Sequence, residues 1–494
     1  MNKRKAENEH VGDAVADTTA PRSSPPDDVL DVNEINEWLT IDGEQGRKWT
    51  FNLGNRRVRR FDELEQEPVI QELLSSRPPY NVVFRECQHL RMLPVWLSKI
   101  RSLKKIKIVR CPMLRSCDVV DGQATINMIS VVDCGEFRQF SINVMDLGVH
   151  SLHLTNCPNF DFEHLATVLD LSTKNLSDLV LTNFSTPTLF PYDLQLDRLC
   201  SLSVENCPNV TVVAHMIHKW RKLTELTVFE CPKLRTISPL NKKLHLTSLT
   251  IGDCPDLDLT QTLHQHINSA RLEYLWLNHS MVTELPFDLR RFSKLEQLSF
   301  YGCEQLRHLP ACIGNLTRLD DLTIVDCPQL DIEAVCLPPK MSSLDLQNLD
   351  CLISLRNLID GDRILRRLVI TKCKNLKVLP DSIPEKCDFT LEDCPSIQSI
   401  TMPPRAGSIY WIYGCPSVTW MSHAVQEKMS PACEDFYDRI PVADVLSDKN
   451  FSEGTLFSLL PRDIIQHCIE PFFQGDSFVK IRPDVDDFLN ELAA

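Results

Sequence analysis

The stretch LTELTVFECPKLRTIS, residues 223–238, decides the fold. Leu226 and Val228 alternate with Glu225, Thr227 and Phe229, the period of a strand with one face turned inward. The run then closes on Cys231 and Pro232, and proline, with fixed φ and no amide proton, suits a chain leaving a hydrogen-bonded ladder. The same phrase returns along the chain. Aligned on the cysteine, the copies read L-x-x-L-x-L-x-x-C-x-x-L, with anchors at Cys87, Cys111, Cys134, Cys157, Phe184, Cys207, Cys231, Cys254, Ser280, Cys303, Cys327, Leu349, Cys373, Cys394 and Cys415. These are fifteen units with steps of 21 to 27 residues, a period that marks a solenoid.

The pattern over residues 80–420 resembles leucine-rich repeats, which implies an α/β solenoid with a curved parallel sheet. The physics agrees: about 24 residues per coil return each strand beside the last, and an isolated coil cannot bury its own apolar edge. Fifteen strands at about 4.8 Å give a sheet on the order of 70 Å long. Each buried Leu, Ile or Val contributes roughly 1.5–3 kcal/mol, so the stack is stable where one unit is not.

The cysteines are read as interior filler rather than chemistry. Twelve of the fifteen anchors are Cys, among them Cys111, Cys157, Cys207, Cys231, Cys254, Cys303, Cys327, Cys373, Cys394 and Cys415. A buried thiol acts as a small hydrophobe with a weak donor, offered here to a turn carbonyl. Stacked strands hold their Cβ vectors parallel, against the convergence a disulfide needs. No C-x-x-C pair occurs, so no metal and no cofactor is expected. A free-thiol solenoid implies a reducing, cytoplasmic setting, in which sequons such as Asn315-Leu-Thr317 stay unmodified.

Composition narrows the function. The 494 residues carry a net charge of −15, which argues against neutralising nucleic-acid phosphates. No apolar run approaches the roughly 18 residues that span a bilayer, and MNKRKAENEHVGDAVADTT lacks the apolar stretch of a secretory signal, so no membrane role is expected. Residues 1–31, rich in Ser, Pro and Asp, read as a disordered arm. From 32 to 79 the spacing of Val32, Ile35, Trp38 and Leu39, of Phe61 and Leu64, and of Val69, Ile70, Leu73 and Leu74 predicts a helical cap. Residues 421–494 read as a helical C-terminal region.

A packed solenoid leaves the hollow face of its sheet for recognition, carried by positions six, four, two and one before each anchor. Those positions are basic at first (Arg85, Lys105, Lys107, Arg110) and acidic later (Glu205, Glu230, Asp253, Asp321, Asp326, Asp345, Glu392, Asp393). Between them lie Phe229, Tyr274, Trp276 and Tyr301, with Trp411 and Tyr413 near the far end. Exposed aromatics on a rigid sheet anchor protein interfaces, although strand propensity alone also favours them there. The expected partner is a protein, bound by a monomer.

Finer resemblances point two ways. LEQLSFYGCEQLRHLPACIGNLTRLDDLTIVDCPQL, residues 295–330, is similar to repeats of plant disease-resistance proteins, yet the phosphate-binding G-x-x-x-x-G-K-[ST] of their nucleotide switch is missing. The last two steps shrink to 21 residues and resemble repeats of bacterial effectors delivered into host cells. The alternative is a ubiquitin-ligase component. Leu460, Pro461, Asp463, Ile464, Ile465 and Ile469 in residues 459–473 resemble the opening of an F-box, and Cys433 before Glu434 and Asp435 resembles the thioester cysteine of bacterial leucine-rich-repeat ligases. That family's catalytic domain is longer than the segment from Cys433 to the last residue, Ala494. No other catalytic motif occurs, and His150/His153 and His215/His218 read as repeat-surface residues. The expectation is a non-catalytic recognition module.

Overall fold

The computed structural model describes residues 39–42, 47–54 and 68–421, the last with breaks at 118–125, 142–147, 401–409 and a few shorter ones. Fifteen strands lie where the repeats put them. The first is Asn81–Arg85, the seventh Glu225–Phe229, the ninth Tyr274–Asn278, the tenth Gln297–Tyr301 and the fifteenth Tyr410–Tyr413. All pair in parallel with their sequence neighbours, so Leu226, Leu249, Leu275 and Leu298 stand in one row across four coils. The fold is a leucine-rich-repeat solenoid.

The interior matches the alternation that predicts it. Residues five and three before each anchor are buried, as at Leu226 and Val228, and so are the anchors, Cys231 among them. Each anchor thiol donates to the carbonyl two residues earlier, at 3.4 Å for Cys231 to Phe229 and 3.3 Å for Cys207 to Glu205. Several also reach the preceding coil, such as Cys303 to the Leu277 carbonyl at 3.5 Å. Seventeen cysteines among the described residues are free. Burial pushes the Cys157 thiol up to about 12, the behaviour of filler rather than of a nucleophile.

Unequal steps arise from the different fillings of the return path. The 27-residue step after Cys157 holds a helix, Phe162–Leu171, whose first turn donates the Glu163 and His164 amides to Asp161 Oδ1 at 2.9 Å. A helix rises only about 1.5 Å per residue against 3.3 Å for extended chain, so the same span consumes more residues. Phenylalanines fill the wider core there, Phe137 stacking on Phe160 at 5.8 Å and Phe160 meeting Phe162 edge-on at 4.9 Å. Shorter steps make do with single turns such as Val95–Lys99 and Ala311–Asn315.

Two expectations need correction. Within 32–79, Leu39 belongs to a strand, Leu39–Asp42, that pairs antiparallel with Lys48–Asn52, and only Pro68–Ser76 is helical among the described residues. Lys48–Asn52 in turn pairs parallel with Asn81–Arg85. The reason is the period-two pattern of Trp49 and Phe51, both fully buried, with Phe51 stacked on Phe84 at 5.3 Å, which closes the open end of the core. Val32, Ile35, Trp38, Phe61 and Leu64 lie outside the described residues, as do the arm 1–31 and residues 422–494 with Cys433 and 459–473.

The second correction concerns the residue just before each anchor, expected on the recognition face. In all fifteen units it has left the strand and turned left-handed, with φ between 43° and 63°. Eight of these are Asn or Asp and two are Gly302 and Gly414, the types that accept this conformation at least cost. Arg110, Glu230, Asp253, Asp326 and Asp393 are therefore turn residues. Their side chains touch from coil to coil: Asn156 Nδ2 donates to Asp133 Oδ1 at 2.9 Å, Asn348 Nδ2 to Asp326 Oδ1 at 2.7 Å, and Arg110 pairs with Glu86 at 2.9 Å. Where a neighbour's side chain already fills that place glycine is required, since a Cβ on Gly302 would stand 1.8 Å from the His279 ring.

Candidate recognition face

With the inner positions buried and the turn residues set aside, the open face carries three columns: six, four and two residues before each anchor. Register defines its floor. Thr227, Thr250, Trp276, Ser299 and Thr323 form the middle row, and Phe229, Gly252, Asn278, Tyr301 and Val325 form the row beside it.

Trp276 and Tyr301 are each 40 % exposed, whereas almost every other large apolar side chain of these coils is buried. They stand on adjacent strands and on diagonal positions, so both present ring surface to the same side of the sheet. Tyr274, two residues before Trp276, is half-buried. Phe229 is half-buried for a different reason. Its ring lies over Gly252, where an added Cβ would be 2.4 Å from Phe229 Cδ2 and 2.9 Å from Asn278 Cβ. Glycine there opens the space in which the ring lies down, so Phe229 forms part of the floor and the standing aromatics are Trp276 and Tyr301.

The terminal pair differs again. Trp411 and Tyr413 are half-buried on the last described full coil, and the Tyr413 hydroxyl donates to Glu392 Oε2 at 2.9 Å. They are five or more coils from the Trp276 group and form no single surface with it.

One polar cluster on this face escapes sequence reasoning. Ser151, His153 and Asp178 meet across adjacent strands, with Ser151 Oγ donating to Asp178 Oδ2 at 2.6 Å and His153 Nε2 3.3 Å from the same oxygen. The His153 contact holds the Asp178 carboxyl below the usual carboxylate range, with Ser151 adding to it. The residue types suggest a hydrolytic triad, but the geometry does not serve one. The serine donates to the acid rather than to the histidine, and one imidazole nitrogen faces both partners, whereas a triad uses the two nitrogens separately. Only strand register reveals the cluster, because 25 residues separate His153 from Asp178. Among the described residues no group of three His, Cys, Asp or Glu side chains could hold a metal ion. No helix among them is long and apolar enough to cross a membrane.

Fold and register together define a leucine-rich-repeat solenoid with one open sheet face. No family model matches the sequence, and no curated protein matches it. Among solved structures it is similar to the leucine-rich repeat domain of the type III effector XCV3220 (XopL), at 21% identity over 53% of this chain and 81% of that one, with a TM-score of 0.34. It is also similar to the plant peptide hormone receptor RGFR1 in complex with RGF2, at 13% identity over 69% of this chain and 81% of that one, with a TM-score of 0.16. A third is the TLR13–ssRNA13 complex, 11% identical over 75% of this chain and 81% of that one, with a TM-score of 0.19. Likeness at this level concerns the coil and not what it binds.

Proposed function

We propose that this chain is a non-catalytic recognition module that binds a protein partner on the open face of its sheet, centred on Trp276 and Tyr301. The observation that carries it is the exposure of these two rings, at 40 % each, on a floor held rigid by parallel pairing on both sides. Large aromatics fixed on strands lose little conformational freedom when a partner covers them, which is why such residues dominate binding energy. The flanking Thr250, Ser299 and Thr323 keep the surroundings flat and polar, the setting in which two standing rings select a contact.

The free thiols support a reducing, cytoplasmic setting. The 21-residue final steps support the further reading of an effector acting inside a host cell, where a translocation reporter fused to the chain would fail to report if that reading is wrong. For the binding role, cross-linking and mass spectrometry on the full chain with a purified partner should place contacts within 225–325. Trp276→Ala with Tyr301→Ala should weaken that partner by about 100-fold or more, as loss of two central aromatics does. Unchanged affinity in the double variant rejects the placement.

A further inference from the structure

The two standing aromatics occupy a face from which lysine and arginine have been excluded. From the third unit to the twelfth, Met128 to Gln347, the three columns comprise thirty positions without one Lys or Arg, while five are acidic: Asp178, Glu205, Glu225, Asp321 and Asp345. The left-handed turn beside the face repeats the pattern, with Asp133, Glu230, Asp253 and Asp326 and again no Lys or Arg across these units. The same coils do carry cations, sorted to another place. Arg198, Lys222, Arg271, Lys294, Arg318 and Lys340 are exposed in the turns leading into their strands, nine residues before the anchor. That is three residues upstream of the nearest face column, on the order of 10 Å of extended chain and beyond a Debye length of about 8 Å.

Three of the five face carboxylates are oriented by neutral groups alone, whereas Asp178 has His153 against it. Glu205 accepts from Ser203 Oγ at 2.6 Å, Asp321 from the Gln297 amide at 3.2 Å and Asp345 from the Gln347 amide at 2.9 Å. Neutral donors fix each oxygen and leave its charge in place. Resting on the recognition reading above, we infer that the partner enters as an extended polypeptide segment rich in lysine or arginine, one cation lying on Trp276 and others pairing with Glu225 and Asp321. Trp is the best ring for a cation–π contact, and a segment bearing carboxylates would meet like charge along the whole path. Spacing comes from register. Glu225 and Asp321 share one column, four strand steps apart through Ser248, Tyr274 and Gln297, or about 19 Å, which extended chain covers in about six residues. The segment therefore carries basic residues about six apart around a third that reaches Trp276.

The test uses the full chain and fluorescein-labelled decapeptides of Gly, Ser and Tyr bearing Arg at positions 2, 5 and 8, read by fluorescence anisotropy against the same peptide with Glu in place of Arg. The Arg peptide should bind, weaken about tenfold or more between 50 and 300 mM salt, and weaken by at least about tenfold in Glu225→Lys/Asp321→Lys. Glu225→Gln/Asp321→Asn, which adds no charge to the fold, should lose an intermediate amount, and Trp276→Ala should weaken binding at every salt concentration. Failure of the Arg peptide to bind, equal binding of the Glu peptide, or indifference to both charge variants overturns the inference. So does tighter binding of a single-stranded RNA oligomer that depends on Lys294 and Arg318. A natural partner lost on Trp276→Ala/Tyr301→Ala but unmoved by the charge variants would overturn this inference and leave the recognition reading intact. A partner unmoved by the aromatic variant would overturn that reading itself.

Discussion

Gly252→Ala tests whether the floor of the face is built as described. The new methyl would arrive 2.4 Å from Phe229 Cδ2, 2.5 Å from Cε2 and 2.9 Å from Asn278 Cβ, where ordinary contact begins near 3.4 Å. The Phe229 ring must shift by about 1 Å or lift off the sheet, a penalty of about 1–3 kcal/mol for overpacking. In a Phe229→Ala background the two closest contacts vanish and the Asn278 contact at 2.9 Å becomes the nearest of the three, so the same substitution should cost under about 1 kcal/mol, a coupling of about 1–2 kcal/mol. Because a stack of repeats can unfold in parts, urea midpoints should be paired with hydrogen exchange of the amides in 225–252, which report this coil locally. Equal cost in both backgrounds, or no cost in either, would refute the account of Phe229 as floor. Lifting the ring should also change partner affinity without touching Trp276.

Three further outcomes are expected from other parts of the fold. A thiol reagent should label Cys336 and Cys351, which are exposed, within minutes, and Cys111, Cys157, Cys231 and Cys303 only on unfolding; rapid native labelling of those four, detected by peptide mass spectrometry, would contradict their burial. Asn156→Ala should cost about 1–2 kcal/mol, from left-handed strain at φ 52° plus the lost contact to Asp133, and Asn156→Gly less, as measured by urea unfolding; an Ala variant no worse than Gly would deny the strain. Asp178, with its folded pKa lowered chiefly by His153, stabilises the fold above its unfolded value near 3.9, and that contribution is lost as pH falls through the lower folded value. Asp178→Asn should therefore flatten the acid limb of a Tm-versus-pH curve below about pH 4, and an unchanged limb would show that the His153 contact does not persist in solution.

Much of the fold is legible in the sequence because each coil repeats the same local physics. Alternation at Leu226 and Val228 specifies which side chains go inward, and Cys231 with Pro232 after it marks where the strand must end. The left-handed turn is written there too, in the Asn and Asp that precede Cys157, Cys207 and Cys327, although the alternation alone assigns those residues to the face. What resists reading is whatever depends on neighbours in the next coil. Trp49 and Phe51 look like part of a helical region until the bare edge at Asn81–Arg85 gives them a strand to join. Phe229 looks like an interface anchor until Gly252 is seen beneath it.

The amino-acid order by itself determined the period, the inward rows and the buried thiols, because these arise from interactions a few residues apart, summed over fifteen nearly identical units. Only the tertiary structure decided which aromatics stand free and that Ser151, His153 and Asp178 meet. Those properties arise between strands about 4.8 Å apart in space but more than twenty residues apart in the chain, and register between coils, rather than local pattern, brings them together.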